Sequence, residues 1–478
     1  MNTRKLLVSL PLTAILVSAI LVAGCSTDAS RAQSAYDDYM VAASAGDLVA
    51  AREALLKLVA VDEDVAEYWV DLGKVQAALG SYSDAYYAFA RALELDRSDQ
   101  DVIRMLTQIA LRSGNIDLAN EYARQLELLV PSDPSVKMTY GIIALRRGDL
   151  DGASRQAELI LASQPADSDA KVLKSEVLMR SGKTDDAIAL LTDQLRSQPK
   201  DRASYRALVS IFERLGDTLR VAELRKRVWN LDREDFAATL DYVDAAFQAG
   251  DTPGARAASL SQLTPTAPQA RISAILDLWR DNWPGTARLD EARRLSRSAG
   301  PEQKWAYAAF FNSVMAPADA FPLVTPEARL PVSARNVRPN AIFAMSLVLT
   351  GQLDAARDRL RRILKLDPDN VDALRARVRL SLVTKVPSSA VNDAQKLVSL
   401  TPNSVSDRLL LAQSYTANGD DRNSRRVLWE AFHDIPADRH IYGALRDRLA
   451  RRGDLDSVRK VDAEFADQKR ATFMKELA

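Results

Sequence analysis

Few residues here could do covalent or metal chemistry. One cysteine, Cys25, and two histidines, His433 and His440, stand among 478 residues, which rules out a disulfide framework and a cysteine zinc cluster and leaves histidine catalysis few candidates. His433, Asp434, Asp438 and His440 place nitrogen and oxygen donors within eight residues, and these are donor types that a metal ion takes. Pro436 interrupts any helix between them, so caps at helix ends compete with a metal site. Ser181-Gly182-Lys183-Thr184 has the tail of a loop whose amides cradle phosphate, but Val177 fills the place of its first glycine. Neither a Gly-x-Ser-x-Gly elbow nor a two-histidine zinc helix occurs in the sequence. The expectation is a protein that binds, with no catalytic residue, cofactor or metal.

Composition agrees. Lys plus Arg equal Asp plus Glu at 64 each, so no net field draws the chain to nucleic acid. With 47% hydrophobic and 27% charged residues the chain has the makeup of a folded protein with a large core.

The elements that position everything else follow a period. Gly46, Gly80, Gly114, Gly148, Gly182, Gly216 and Gly250 are spaced by 34 residues, and Gly351, Lys385, Gly419 and Gly453 resume the spacing. Five residues later come Ala51, Ala85, Ala119, Ala153, Ala187, Val221 and Ala255, then Ala356, Ala390, Ser424 and Val458. A small side chain there lets two helices approach closely. Pro131, Pro165, Pro199, Pro368, Pro402 and Pro436 close units. Ser83, Asp117, Asp151, Asp185, Asp354, Ser388 and Asp456 are placed to cap each second helix. Each unit is therefore helix, turn, helix.

This pattern resembles the tetratricopeptide repeat. Ala66 to Asp99 matches it at Trp69, Leu72, Gly73, Gly80, Tyr82, Ala85, Phe89 and Ala92. The resemblance implies an all-α, right-handed superhelical solenoid with about 11 recognisable repeats and about two degenerate ones. Seven repeats cover 32–269 and four cover 337–472. Residues 270–336 lose the glycine and alanine marks. There Pro317, Pro322, Pro326, Pro331 and Pro339 predict an extended connection in place of a second helix, with Phe321, Leu323 and Val324 either packed or open to a partner.

At the N-terminus Arg4 and Lys5 precede an apolar run from Leu6 to Ala23. Val22-Ala23-Gly24-Cys25 resembles the lipobox of bacterial lipoproteins. That implies removal of 1–24, acylation of Cys25 (palmitate among the chains), and a polar tether over 25–35. Ser26, where the family's retention signal has Asp, points to the periplasmic face of the outer membrane. The alternative is an uncleaved helix that anchors an assembly factor in the inner membrane.

Two surfaces are candidates for binding. In the family the first helix of each unit lines an inner groove, which puts Met138, Ile142, Leu145, Val172 and Met179 on or near its wall, although the same spacing serves core packing. Arg357, Arg359, Arg361, Arg362, Arg375, Arg377 and Arg379 make a basic block, with Arg375 and Arg379 as candidates to meet an acidic partner or polysaccharide. The chaperone-tail clamp of some family members needs a Lys and Asn pair, and Val70 with Lys74, Arg104 with Gln108, or Arg206 with Ser210 do not supply it. The expected function is a membrane-tethered periplasmic scaffold that holds other proteins together during assembly of an envelope complex for secretion, pilus formation or polysaccharide export. A subunit dedicated to exopolysaccharide export is the alternative.

Overall fold

The computed structural model describes the backbone of residues 13–131 and 133–477, and the side chains of 28–131 and 133–468. Packing divides the chain inside one helix, into a first unit that ends at Ala187 and a second that begins at Ile188. The first holds α1 (Thr13–Ser44), α2 (Leu48–Val61), α3 (Ala66–Ala78), α4 (Tyr82–Leu95), α5 (Gln100–Arg112), α6 (Ile116–Leu129), α7 (Pro134–Arg147), α8 (Leu150–Ser163), α9 (Ser168–Arg180) and the start of α10 (Thr184–Ser197). The second continues with α11 (Arg202–Leu215), α12 (Thr218–Leu231), α13 (Phe236–Gln248), α14 (Thr252–Gln262), α15 (Gln269–Asn282), α16 (Ala287–Ser298), α17 (Pro301–Ser313) and α18 (Pro317–Ala328). It ends with α19 (Val337–Leu349), α20 (Leu353–Leu366), α21 (Val371–Val383), α22 (Pro387–Leu400), α23 (Val405–Ala417), α24 (Asp421–Asp434), α25 (Arg439–Ala450) and α26 (Leu455–Leu477). Among the described residues the 26 helices alternate as first and second members of thirteen units, which is the all-α solenoid expected.

One unit shows why the sequence folds this way. Trp69, Leu72, Val75 and Gln76 recur at three or four residues and bury one stripe of α3, and Ala85, Ala88, Phe89 and Ala92 bury the facing stripe of α4. Between them Gly80 takes φ +79°, a left-handed conformation that costs a residue with a Cβ about 1–2 kcal/mol. The Ser81 N–H returns to the Gln76 carbonyl at 2.9 Å and the Gly80 N–H to that of Ala77 at 3.0 Å, which satisfies carbonyls left over at the end of α3. The helices then approach so closely that a Cβ on Gly73 would lie 2.7 Å from Phe89 Cε1.

Two expectations need correction. The caps sit one residue after the turn glycine: Asn115 Oδ1 accepts from the Leu118 N–H at 3.2 Å, and Asp149 Oδ1 from the Gly152 N–H at 2.8 Å. Ser83, Asp117, Asp151, Asp185, Asp354, Ser388 and Asp456 lie instead inside the first turns. A glycine at positive φ already reverses the chain, so the next residue takes the cap and the acids that follow face the positive helix end. Residues 25–35, where the tether is expected, lie within α1, whose later part buries Ala35 and Ala42. Residues 1–12 and the Cys25 side chain lie outside the described residues.

The second correction concerns 270–336. Its four helices, α15 to α18, make the two eroded units expected, but no extended connection replaces the last. Pro317 starts α18 at the first helical turn, and Pro322 and Pro326 lie inside it. Ala320, Val324 and Ala328 bury one face, and Phe321 meets the Phe343 ring edge-on at 5.2 Å. Packing on α17 and α19 outweighs the backbone bonds that the two prolines forfeit. Between 317 and 339 only 329–336 leave the helix.

Candidate functional site

Arg112, Arg146 and Arg180 stand 34 residues apart, each in the last turn of a first helix of the first unit. Cations are favoured at helix C-termini by the helix dipole, which accounts for the residue type but not for how these side chains are partnered. Arg112 lies over the Tyr82 ring at 5.2 Å and donates to its hydroxyl at 3.1 Å. Arg180 donates from Nη1 to the Leu145 carbonyl at 2.8 Å, and its Nε pairs with buried Glu176 at 3.0 Å. Arg146, between them, has no ion-pair partner among the described residues, and its buried Nε has no acceptor. Burial, then the charge of Arg180, push its guanidinium below the usual value. Because α7 and α9 touch, these equivalent positions act on one another across the repeat boundary.

The groove candidates divide at this place. Ile142, Leu145 and Val172 are at most 4% exposed and belong to the core, so they form no groove wall. They had the right spacing, but neighbouring helices cover them. Met138 and Met179 are half-buried on α7 and α9 and remain within reach of a ligand.

In the second unit several arginines on or against the first helices are ion-paired. Arg225 reaches Glu213 at 2.9 Å and Asp241 at 3.0 Å, and Arg280 reaches Asp277 at 2.6 Å and Asp281 at 2.8 Å. Arg375 forks onto Asp407 at 2.7 and 2.6 Å and also meets Asp372 at 3.3 Å. Burial lowers the Arg225, Arg280 and Arg375 values, but their carboxylates outweigh it and the net shift is upward. Burial raises Asp277; Arg280 opposes this and Asp281 adds to it. Arg439 at the start of α25 donates to Asn282 Oδ1 at 2.8 Å and lies 3.5 Å from Asp244, a residue 195 positions earlier. His440 Nε2 stands 3.8 Å from Asp281. The α25 start therefore meets α13 and α15 directly, a contact that no local signal in the sequence announces.

The basic block loses its identity as a patch for the same reason. Arg357, Arg361 and Arg362 pair with Asp354 and Asp358 on their own helix. Arg377 forks onto Asp393 at 2.7 and 2.6 Å, and Arg359 covers the Phe343 ring at 4.6 Å. Arg375 is committed to Asp407, so of the two named candidates Arg379 alone is exposed and unpartnered among the described residues.

The remaining motifs disperse. His433 stacks on Trp429 at 5.7 Å and lies 2.9 Å from Glu464, Asp434 pairs with Arg408 at 2.8 Å, and Asp438 caps α25 by accepting from the N–H groups of His440 and Ile441, both at 2.9 Å. Among the described residues no three His, Cys, Asp or Glu side chains group to hold a metal ion. The Gly182 and Lys183 N–H groups are bonded to the Met179 and Leu178 carbonyls at 3.2 and 2.9 Å, so they are not free to cradle an anion.

The arginine column was missed in the sequence, although its signal is the same spacing that revealed the glycines. Comparison with known proteins bears on the array itself. No curated protein matches the chain. A tetratricopeptide repeat protein from Parabacteroides merdae is 13% identical over 56% of this chain and 98% of its own, at a TM-score of 0.39. YrrB, described as a TPR protein with an unusual peptide-binding site, is 20% identical over 35% of this chain and 86% of its own, at 0.30. MamA from Desulfovibrio magneticus is 14% identical over 36% and 97%, at 0.33. Superpositions this loose carry no argument about function. Tetratricopeptide repeat models, however, match residues 40–101, 105–170 and 144–211. On those matches and its thirteen helix pairs, the chain is a tetratricopeptide-repeat-containing protein, an array of the kind that serves as a protein–protein interaction scaffold.

Proposed function

We propose that this scaffold is tethered to a bacterial envelope membrane through acylated Cys25 and holds partner proteins on the first helices of its first unit. The observation that carries the reading is Arg146 on α7, which has no ion-pair partner among the described residues and whose buried Nε has no acceptor. A surface with unmet bonding capacity gains from a partner, and one already satisfied must break a contact first. The Arg4, Lys5, Leu6 to Ala23 and Val22-Ala23-Gly24-Cys25 pattern supports the tether, with the outer membrane favoured by Ser26. Among the described residues no helix is long and apolar enough to cross a membrane. The clients are components of an envelope assembly for secretion, pilus formation or polysaccharide export. Polymer contact at Arg375 would have to displace Asp407, so protein clients are the better-supported reading.

A photo-crosslinker at Met138 in living cells tests this. Specific capture there, with none from Arg124 on exposed α6, is expected; equal capture at both sites sinks the reading. For the tether, Cys25→Ala should move the protein from the membrane to the soluble fraction, and a variant that stays in the membrane overturns it.

A further inference from the structure

We propose that the start of α25 is a latch: Arg439 and His440 hold the second unit closed on α13 and α15, and the unit opens, with its helix pairs intact, when that seam is broken. The latch is independent of where partners meet the first unit.

The seam joins elements that are not neighbours. In a stacked array each pair contacts the next, and α25 packs along α23 and α24. Its first residues nevertheless reach α13, with the five helix pairs from α15 to α24 between them. Arg439 donates from Nη2 to Asn282 Oδ1 at 2.8 Å and lies 3.5 Å from Asp244, which itself accepts from Asn282 Nδ2 at 3.4 Å. His440 Nε2 stands 3.8 Å from Asp281. The histidine is charged only when protonated, which leaves Arg439 as the permanent cation of the seam.

What holds the seam differs from what holds each repeat to the next. Ile441 and Leu445 of α25 bury into a core that runs from α19 to α26, whereas Val243 of α13 and Ile275 of α15 belong to a separate core. No buried apolar side chain spans the seam among the described residues. Asp244, Arg439 and His440 keep 35%, 41% and 40% of their side-chain surface in water. An exposed ion pair shifts an equilibrium by only about two- to fivefold, and small rotations at each intervening pair add up along an array. A closure that rests on so few polar bonds can be undone without melting a helix. Opening uncovers the face of α13 and α15 that carries Asp244 and Asn282.

Double electron–electron resonance reads the seam, with spin labels at Ala237→Cys on α13 and Ala450→Cys on α25 in the full chain carrying Cys25→Ala. Both alanines are exposed. The labelled parent should give one short distance as its major component. Arg439→Glu and Asp244→Arg each set like charges face to face, and each should make a longer distance the major component, a shift of about tenfold or more in the ratio of the two forms. Combining the two reversals restores the attraction and should bring the short distance back. One molar sodium chloride should raise the longer component of the parent about two- to fivefold. Far-UV circular dichroism should be unchanged throughout. A short distance that survives as the major component in both single variants, a double variant as open as either, indifference of the parent to salt, or a loss of helical signal on breaking the seam each overturn the latch.

Discussion

The two units solve the same problem with different means. In the first, every turn between paired helices uses glycine at positive φ, at Gly46, Gly80, Gly114, Gly148 and Gly182, and helices close on small side chains. In the second, Gly216, Gly250, Gly285, Gly351, Gly419 and Gly453 keep that turn, but Met315 and Lys385 take positive φ in its place, as does Ala437 between α24 and α25, and ion pairs tie first helices together over long sequence separations. Where the repeat consensus is kept, small-residue packing is joined by ion pairs such as Arg104 on Asp133 at 2.5 Å, and Arg146 is left to serve a partner. Where it has eroded, buried pairs such as Arg375 with Asp407 help to hold the array. The comparison thus locates binding by what each unit does not need for its own structure.

The largest expected effect lies in the second unit. Asp407 is 1% exposed, receives both Arg375 bonds and accepts from Thr401 Oγ1 at 2.8 Å. Removing one partner of a buried pair strands the other charge, at a cost of about 3–5 kcal/mol. Arg375 keeps a third of its side chain in water (34%), which reduces the expected loss for Asp407→Ala to about 2–3 kcal/mol. Urea unfolding measures it, and hydrogen exchange should place the loss in α21 to α23. A loss below about 0.5 kcal/mol would mean that the pair is ornamental, and the contrast between units would dissolve.

Next comes the packing of the first unit. Gly73→Ala places a methyl 2.7 Å from Phe89 Cε1, and such overpacking costs about 1–3 kcal/mol. A neutral result would show that the α3 and α4 contact is slack and that packing does not fix this unit. The same residue shows what was legible beforehand. Gly73, Gly80 and Ala85 announce their roles because a close approach, a left-handed turn and a helix crossing each tolerate few residue types, and the period repeats the message. Ile142 and Leu145 misled, since a buried stripe and a groove stripe share the 3.6-residue spacing and only neighbouring helices tell them apart. Pro322 and Pro326 misled because a local rule yielded to packing of Ala320 and Val324. Arg439 with Asp244 was invisible, since a contact across 195 residues leaves no periodic trace.

A gain is expected at a strained turn of the second unit. Lys385 holds φ +57° in the place that glycine holds elsewhere, at a cost of about 1 kcal/mol for a residue with a Cβ. Lys385 is exposed and has no ion pair among the described residues, so Lys385→Gly removes strain without removing a salt bridge. The variant should be about 0.5–1 kcal/mol more stable, the added freedom of glycine in the unfolded chain offsetting part of the relief. Destabilisation would show that the lysine does unrecognised structural work and that erosion here has been compensated locally.

The smallest effect is the most discriminating. If the inner arginines of the first unit are spared from structural duty, Arg146→Gln should leave stability within about 0.5 kcal/mol of the parent. The sign leans toward stabilisation, because the substitution removes a half-buried charge that Arg180 repels. This expectation is opposite to that for Asp407→Ala, although both changes delete one charged group from a first helix. Unfolding in low and in moderate salt sharpens it: screening should narrow any difference between Arg146→Gln and the parent, since the repulsion removed is electrostatic. A loss of about 2 kcal/mol would show that Arg146 is a structural member of α7 like Arg375 of α21, and an unpartnered Arg146 would no longer mark a surface spared for binding.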